Sequence, residues 1–313
     1  MPKTASKGNR YGRDVPIVDF LLPVLQPLDL RTTLASGQTF RWEEADGWHW
    51  GVLGMHGYAL RQEEDGLRVR TTAPERTEAE EAVSGFLRLD DDFALLCREL
   101  AQGDLILGEA ITRYPGLRLL RQEPWECLAS FICSQVSNIP RISGNLRAIA
   151  EAQGEPVTLD GRKMWQFPSA ERVAEAGEAG LLRLGLGFRA KYLAAAAQAV
   201  AEGRLDLMAL RAAPYAEAKA ALLGLKGVGD KVADCALVFS LDKLEGFPLD
   251  RWVRRALEEW YGVSSKISYR DALAWAQERW GQRCGYVQQY LFHYRRLLGR
   301  EVGVGVGVGA AKV

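Results

Sequence analysis

No C-x-x-C pair occurs in this chain. Its five cysteines stand apart at positions 97, 127, 133, 235 and 284, and that spacing implies neither a disulfide framework nor a clustered metal site. Long apolar runs and a secretory signal are also missing, so the expectation is a reduced intracellular protein with no membrane association. An excess of one charge is lacking as well. Forty lysines and arginines balance 40 aspartates and glutamates, which argues against a binder that works through net positive potential. The charges are nevertheless unevenly placed. Residues 1–13 carry Lys3, Lys7, Arg10 and Arg13 and no acid, residues 283–300 carry Arg283, Arg295, Arg296 and Arg300 and no acid, and acids gather at Glu75, Glu78, Glu80, Glu81, Asp90, Asp91 and Asp92. Such asymmetry can put a basic face on a neutral molecule.

At 313 residues and 48% hydrophobic composition, the chain can fill two or three packed subdomains. Residues 1–15 are polar and read as loose. Residues 16–88 show short apolar segments between turn signals. Asp46-Gly47 and Asp65-Gly66 are hairpin dipeptides, and Trp48, Trp50 and Val52 alternate as on one face of a strand. From residue 90 to 300 the pattern is helical, punctuated near Gly103, Pro115-Gly116, Gly154, Pro168, Gly185 to Gly187, and Pro214. The fold class is therefore α+β and mostly α. An antiparallel sheet domain with flanking helices spans 16–118 and a helical domain spans 119–300. Residues 301–313 form a low-complexity tail that reads as disordered.

Within the helical part, Gly227-Val228-Gly229 separates the apolar positions Ala221, Leu222, Leu223 and Leu225 from Val232, Ala233, Ala236 and Leu237. Two helices joined by a tight turn follow, a helix-hairpin-helix over 216–241. Glycines there permit positive φ and close approach, and the amides opening the second helix face outward, where a phosphate oxygen can accept from them. The structural alternative is an ordinary glycine cap. Lys231 lies in the first turn of the second helix, where the dipole disfavours the ammonium and favours a free amine. Cys235 is one turn further along the same face. Asp250 follows Pro248-Leu249 and precedes the pattern Trp252, Val253, Ala256, Leu257, Trp260, which suits a helix N-cap. A helix over 231–241 rises about 15 Å, and the stretch LDKLEGFP can return that far, so the lysine and the aspartate can meet.

GVGDKVADC followed by PLD resembles the helix-hairpin-helix DNA glycosylase superfamily. SGQTFRW at 36–42, PWECLASFICSQVSNIPRISG at 124–144 and LGLGFRAKYL at 184–193 narrow the resemblance to the 8-oxoguanine DNA glycosylase/AP lyase family, in order from about Leu28 to Leu298. The resemblance implies an enzyme of base-excision repair that acts as a monomer on duplex DNA carrying 8-oxoguanine or an abasic site. Lys231 would be its Schiff-base nucleophile and Asp250 its catalytic carboxylate. Gln288 would bond the Watson–Crick edge of the flipped base, Phe292 and Cys235 would sandwich its ring, and the Gly37 carbonyl would accept the N7 hydrogen that guanine lacks. Gly227 and Gly229 would approach the DNA backbone. Arg141 and Arg189 match the arginines that read the orphaned cytosine. Val136 stands where the family has an asparagine, Phe188 where it has a tyrosine wedge, and Trp252 where it has a histidine, so cytosine preference is expected to be narrower. No cofactor is implied. Four clustered cysteines for iron and sulfur are lacking, and only a structural monovalent cation at the carbonyls of Leu223, Leu225 and Val228 is suggested. The alternatives are a monofunctional alkylpurine glycosylase, which needs Asp250 but not Lys231, and a noncatalytic hairpin DNA-binding module.

Overall fold

The computed structural model describes residues 16–305, with side chains through Gly299. The basic stretch from Lys3 to Arg13, the Arg300 side chain and the tail beyond residue 305 lie outside the described residues.

The N-terminal part holds β1 (Val18–Pro23), α1 (Leu30–Ala35), β2 (Glu43–Ala45), β3 (Trp48–Leu53), β4 (His56–Glu63) and β5 (Gly66–Thr71). The five strands form one antiparallel sheet in the order β1-β5-β4-β3-β2. Asp46 and Gly47 both take positive φ, 53° and 76°, as the two-residue turn between β2 and β3 requires. The second dipeptide behaves differently. Glu64 and Asp65 make the turn, and Gly66 opens β5 opposite Pro23 of β1. A Cβ at Gly66 would lie 2.2 Å from the Leu22 carbonyl oxygen, so this glycine serves strand approach and not the turn. One face of the sheet buries Phe20, Leu22, Leu60, Leu67 and Val69 against α1 and α2 (Arg76–Phe86).

The helices α3 (Phe93–Gly103), α4 (Leu105–Arg113), α5 (Pro124–Cys133) and α6 (Ile139–Gln153) follow. A hairpin then interrupts the stretch that reads as helical throughout: β6 (Pro156–Leu159) pairs with β7 (Arg162–Trp165). Its turn is Asp160-Gly161, φ 50° and 75°, the same Asp-Gly signal as at residue 46. The chain continues through α7 (Ala170–Arg183), α8 (Arg189–Ala201), α9 (Leu207–Ala212), α10 (Tyr215–Leu223), α11 (Asp230–Ser240), α12 (Arg251–Tyr261), α13 (Tyr269–Trp280) and α14 (Cys284–Gly305). The last helix thus runs past residue 300, where the expected tail begins.

Two helices form the interior of this part. Nine of the ten residues of α5 are buried, all but Glu126, and in α11 every residue from Val232 to Ser240 is buried. A helix apolar on all sides has nowhere to go but the core. Lys231 is therefore the last side chain to emerge from a helix that is otherwise immobilised by packing.

The expected basic face does not form over 283–299. Arg283 pairs with Glu99, Arg295 binds Glu259 through two nitrogens at 2.7 Å each, and Arg296 is buried. Paired guanidiniums project little net potential.

Candidate active site

The hairpin between α10 and α11 is built on one aromatic ring. Gly227 has φ +84°, and a Cβ there would lie 2.2 Å from the Tyr192 ring of α8; only glycine lets the backbone lie so flat on it. The Val228 amide donates to the Leu225 carbonyl at 3.1 Å, and the Val228 side chain is buried beneath the turn. Gly229, the N-cap of α11, has φ −101°, which any residue can adopt, and a Cβ there would meet no atom within 4 Å. The protein itself does not demand a glycine at 229. The open space outside that backbone and the outward amides of the first turn of α11 suit an approaching anion.

Lys231 extends from α11 toward the end of α5. Its amine donates to the Ser134 hydroxyl at 3.2 Å and lies 4.9 Å from the centre of the Phe131 ring. Asp250 caps α12, accepting from the Trp252 and Val253 amides at 2.8 and 2.9 Å, both on Oδ1. The capping role is thus real and uses one carboxylate oxygen. Burial raises the Asp250 carboxyl above its ordinary value, against the opposing pull of the Val253 amide and the Lys231 charge.

These two side chains share a cavity of about 40 Å³ with Gly37, Phe131, Cys235, Phe239, Pro248, Gln288, Gln289 and Phe292. Gln288 and Phe292 reach it from one face of α14, as their spacing predicts. Gln288 is 4% exposed, and its Oε1 is buried without a hydrogen-bond partner among the described residues. A buried amide oxygen left unpaired is unfavourable by about 1–3 kcal/mol, and here the side chain lines the same cavity as a lysine and a carboxylate. Gly37, at φ +83°, approaches the Phe292 ring, and a Cβ on it would stand 3.2 Å from Phe292 Cε1. Burial pushes the Cys235 thiol up to about 12, so at neutral pH it presents a protonated, soft apolar surface and no nucleophile. The cavity holds roughly three waters at 10–15 Å³ of probe volume each. That volume is smaller than a purine, and Phe292 is half-buried among the residues that line it.

Across from this cavity, Val136 sits in the turn between α5 and α6. It is 88% exposed with φ +47°, a conformation that a β-branched residue resists. Phe188, 47% exposed, precedes α8. Arg141 lies exposed in the first turn of α6, its amide accepted by the Asn138 cap at 3.0 Å. The Arg189 guanidinium is not turned outward for a base edge as the resemblance suggests. It is 2% exposed and donates to the carbonyls of Gln135 at 2.8 Å and Val136 at 2.7 Å, because the tight left-handed turn gathers carbonyls that need donors. Trp252 is flanked by Arg251 and Arg255, 4.9 and 5.4 Å from its ring centre.

The family model for the 8-oxoguanine DNA glycosylase N-terminal domain matches residues 21–128, and that for HhH-GPD superfamily base excision DNA repair proteins matches 129–282. The chain is 33% identical over 282 residues to the N-glycosylase/DNA lyase OGG1 of Arabidopsis thaliana, covering 85% of this chain and 76% of that protein. It is 30% identical to the probable N-glycosylase/DNA lyase of Methanothermobacter thermautotrophicus, covering 91% and 96%. The chain belongs to the 8-oxoguanine DNA glycosylase family. By that membership it is a bifunctional DNA N-glycosylase/lyase. A solved member from Clostridium acetobutylicum, an 8-oxoguanine glycosylase/lyase in complex with double-stranded DNA containing cytosine opposite 8-oxoguanine, superposes with a TM-score of 0.83 at 28% identity, covering 90% of this chain and 98% of that one.

Three neighbours of Lys231 and Cys235 escaped the sequence reading: Ser134, Phe131 and Phe239. The two rings stack at 5.4 Å and form the cavity floor. The i, i+3 spacing of Phe131 and Ser134 on one helix was the signal available for two of them. Among the described residues no three His, Cys, Asp or Glu side chains gather to hold a metal, and no helix is long and apolar enough to cross a membrane.

Proposed function

We propose that this protein excises 8-oxoguanine from duplex DNA and nicks the resulting abasic strand, acting as a monomer within the cell. The observation that carries this reading is the Gln288 amide oxygen, buried without a hydrogen-bond partner among the described residues, in one cavity with Lys231, Asp250 and Phe292. An extruded base would supply the missing partners through its Watson–Crick edge and stack between Phe292 and Cys235. The Gly37 carbonyl would accept the N7 hydrogen, present in 8-oxoguanine and absent from guanine.

Chemistry follows from the pair. The Lys231 amine attacks C1′ as the glycosidic bond breaks, and the electrons of that bond leave with the base. The ionised Asp250 stabilises the positive charge that develops on the sugar. Ring opening at O4′, which takes up the proton that the nitrogen gives away, converts the hemiaminal ether at C1′ to an imine; the C2′ proton becomes acidic, and β-elimination expels the 3′ phosphate. Ser134 orients the amine. No step draws on a redox or metal cofactor; a monovalent cation among the carbonyls of Leu223, Leu225 and Val228 would only stiffen the hairpin. Gly227, Gly229 and the first amides of α11 would hold the DNA backbone, while Val136 and Phe188 occupy the space that the base vacates and the exposed Arg141 favours cytosine; Arg189 would act by holding the Gln135–Val136 turn in place.

The test is a duplex carrying one 8-oxoguanine opposite cytosine, incubated with the enzyme and resolved on a denaturing gel with and without hot alkali. Cleavage without alkali and a borohydride-trapped covalent complex are the expected results. Cleavage only after alkali, with no trapped complex, would assign a monofunctional glycosylase instead.

A further inference from the structure

One carboxylate of the catalytic helix is used by nothing in the scheme above. Asp234 is 0% exposed, and a buried charge persists only where it is well satisfied. Its Oδ1 accepts from the Tyr215 hydroxyl at 2.7 Å, and its Oδ2 accepts from the Tyr269 hydroxyl at 2.6 Å and from Lys219 at 3.1 Å. Lys219, itself nearly buried, also pairs with Asp230 at 3.2 Å. The two tyrosines differ in what else they touch. Tyr215 belongs to α10, and its hydroxyl bonds only Asp234 and Lys219, both within the hairpin's two helices. Tyr269, the first residue of α13, donates to Asp234 at 2.6 Å, has the Phe247 carbonyl as a second acceptor at 3.2 Å, and its hydroxyl oxygen accepts the Leu249 amide at 3.4 Å. Burial and the adjacent Asp234 charge push the Tyr269 phenol up, which keeps that proton in place.

Asp234 is one helical turn beyond Lys231, and Leu249 immediately precedes Asp250. A single hydroxyl therefore joins the lysine helix to the residue before the carboxylate, where the two arrive from different segments of chain. We propose that Tyr269 is a positioning residue that fixes the separation of Lys231 and Asp250, through Asp234 on one side and the Leu249 amide on the other. This rests on the catalytic roles proposed for those two residues. Geometry of this kind is felt in rate more than in binding, because misplacement of a reacting group by about 1 Å can lower a rate on the order of 100-fold.

The experiment compares Tyr269→Phe with Tyr215→Phe. Each removes one hydrogen bond from the same carboxylate, and only the first breaks the link to the aspartate loop. Three quantities are measured at a temperature where melting curves show both variants folded: single-turnover excision of 8-oxoguanine at saturating enzyme, borohydride trapping on a preformed abasic site, and equilibrium binding to a duplex with a tetrahydrofuran abasic analogue. Tyr269→Phe is expected to slow excision and trapping by about 10- to 100-fold with unchanged analogue binding, whereas Tyr215→Phe stays within about threefold of wild type at a similar loss of melting temperature. Equal losses of rate in the two variants would reduce Tyr269 to a structural partner of Asp234, and an undiminished rate in Tyr269→Phe would remove it from the site. Failure of the wild-type enzyme to excise the lesion would overturn the reading of the site, and this inference with it.

Discussion

The Lys231 amine donates to the Ser134 hydroxyl at 3.2 Å, and that hydroxyl donates onward to the Phe131 carbonyl at 2.7 Å. The nucleophile is thus tethered to the C-terminal end of a helix from another part of the chain that is buried at every residue but Glu126. Glutamine at 231 can keep a donor near Ser134 but carries no amine. Lys231→Gln is expected to abolish borohydride trapping and excision while binding to lesion duplex is retained. Strand cleavage at the wild-type rate would refute the assignment.

Asp250→Asn separates chemistry from capping. Asparagine retains the oxygen that accepts from Trp252 and Val253 and loses the charge. Excision should fall about 10²- to 10³-fold, as for loss of one group that stabilises transition-state charge. The loss of stability should be about 1 kcal/mol or less, since asparagine caps helices as well as aspartate. Thermal melts run beside single-turnover assays decide the matter: a melting temperature that collapses with the activity would make Asp250 a cap and nothing more.

Gly37→Ala places a methyl 3.2 Å from Phe292 at φ +83°. The backbone strain alone should lower stability by about 1 kcal/mol. The functional expectation is selective. Excision of 8-oxoguanine should weaken because the reading carbonyl and the stacking ring are displaced together, whereas nicking of a preformed abasic site, which has no base to read, should proceed as in wild type. Equal loss on both substrates would place Gly37 outside base recognition.

His293 gives the fold a pH signature. Burial, with the Arg296 charge beside it, lowers its pKa from 6.5 to about 4. Above pH 6.5 folded and unfolded states are both neutral at this ring. As pH falls from 6.5 toward 4, the unfolded chain takes up a proton that the folded one refuses, so stability declines by on the order of 3 kcal/mol across that window. Denaturant melts of wild type and His293→Gln at pH 7 and pH 4.5 should show a smaller pH dependence in the variant. Parallel declines would locate the acid sensitivity elsewhere.

Val136→Asn should both stabilise the α5–α6 turn and sharpen the partner-strand preference. Asparagine tolerates the left-handed conformation that valine resists, and it restores a hydrogen-bonding group worth about 1–3 kcal/mol of base discrimination. Single-turnover excision opposite C, T, G and A measures the second effect. An unchanged ranking and spread in the asparagine variant would remove position 136 from partner recognition.

How much the sequence reveals depends on how local the cause is. The hairpin follows from Gly227 and its flanking apolar residues, the Asp250 cap from the residues just after it, and the Gln288–Phe292 pair from helical spacing. Ser134 was hidden because its link to Lys231 exists only once α5 and α11 are packed together. Arg189 reads as an outward base contact until the carbonyls of Gln135 and Val136 turn toward it, which depends on the path of a distant loop. The arginines at 283, 295 and 296 looked like a basic face because the acidic partners of the first two, Glu99 and Glu259, and the Ala35 carbonyl that receives the third come from elsewhere in the chain. The β6–β7 hairpin is the opposite case: its cause, Asp160-Gly161, is local, yet the stretch around it reads as helical and the hairpin was missed.

The ring of Tyr192 carries the backbone of Gly227 on its face and the edge of Phe188 at 6.2 Å. In the proposed mode of DNA binding, the first element grips a phosphate and the second presses into the duplex. Both are seated on one rigid side chain, so the molecule works as a gauge: the interval between grip and wedge is set before any DNA arrives.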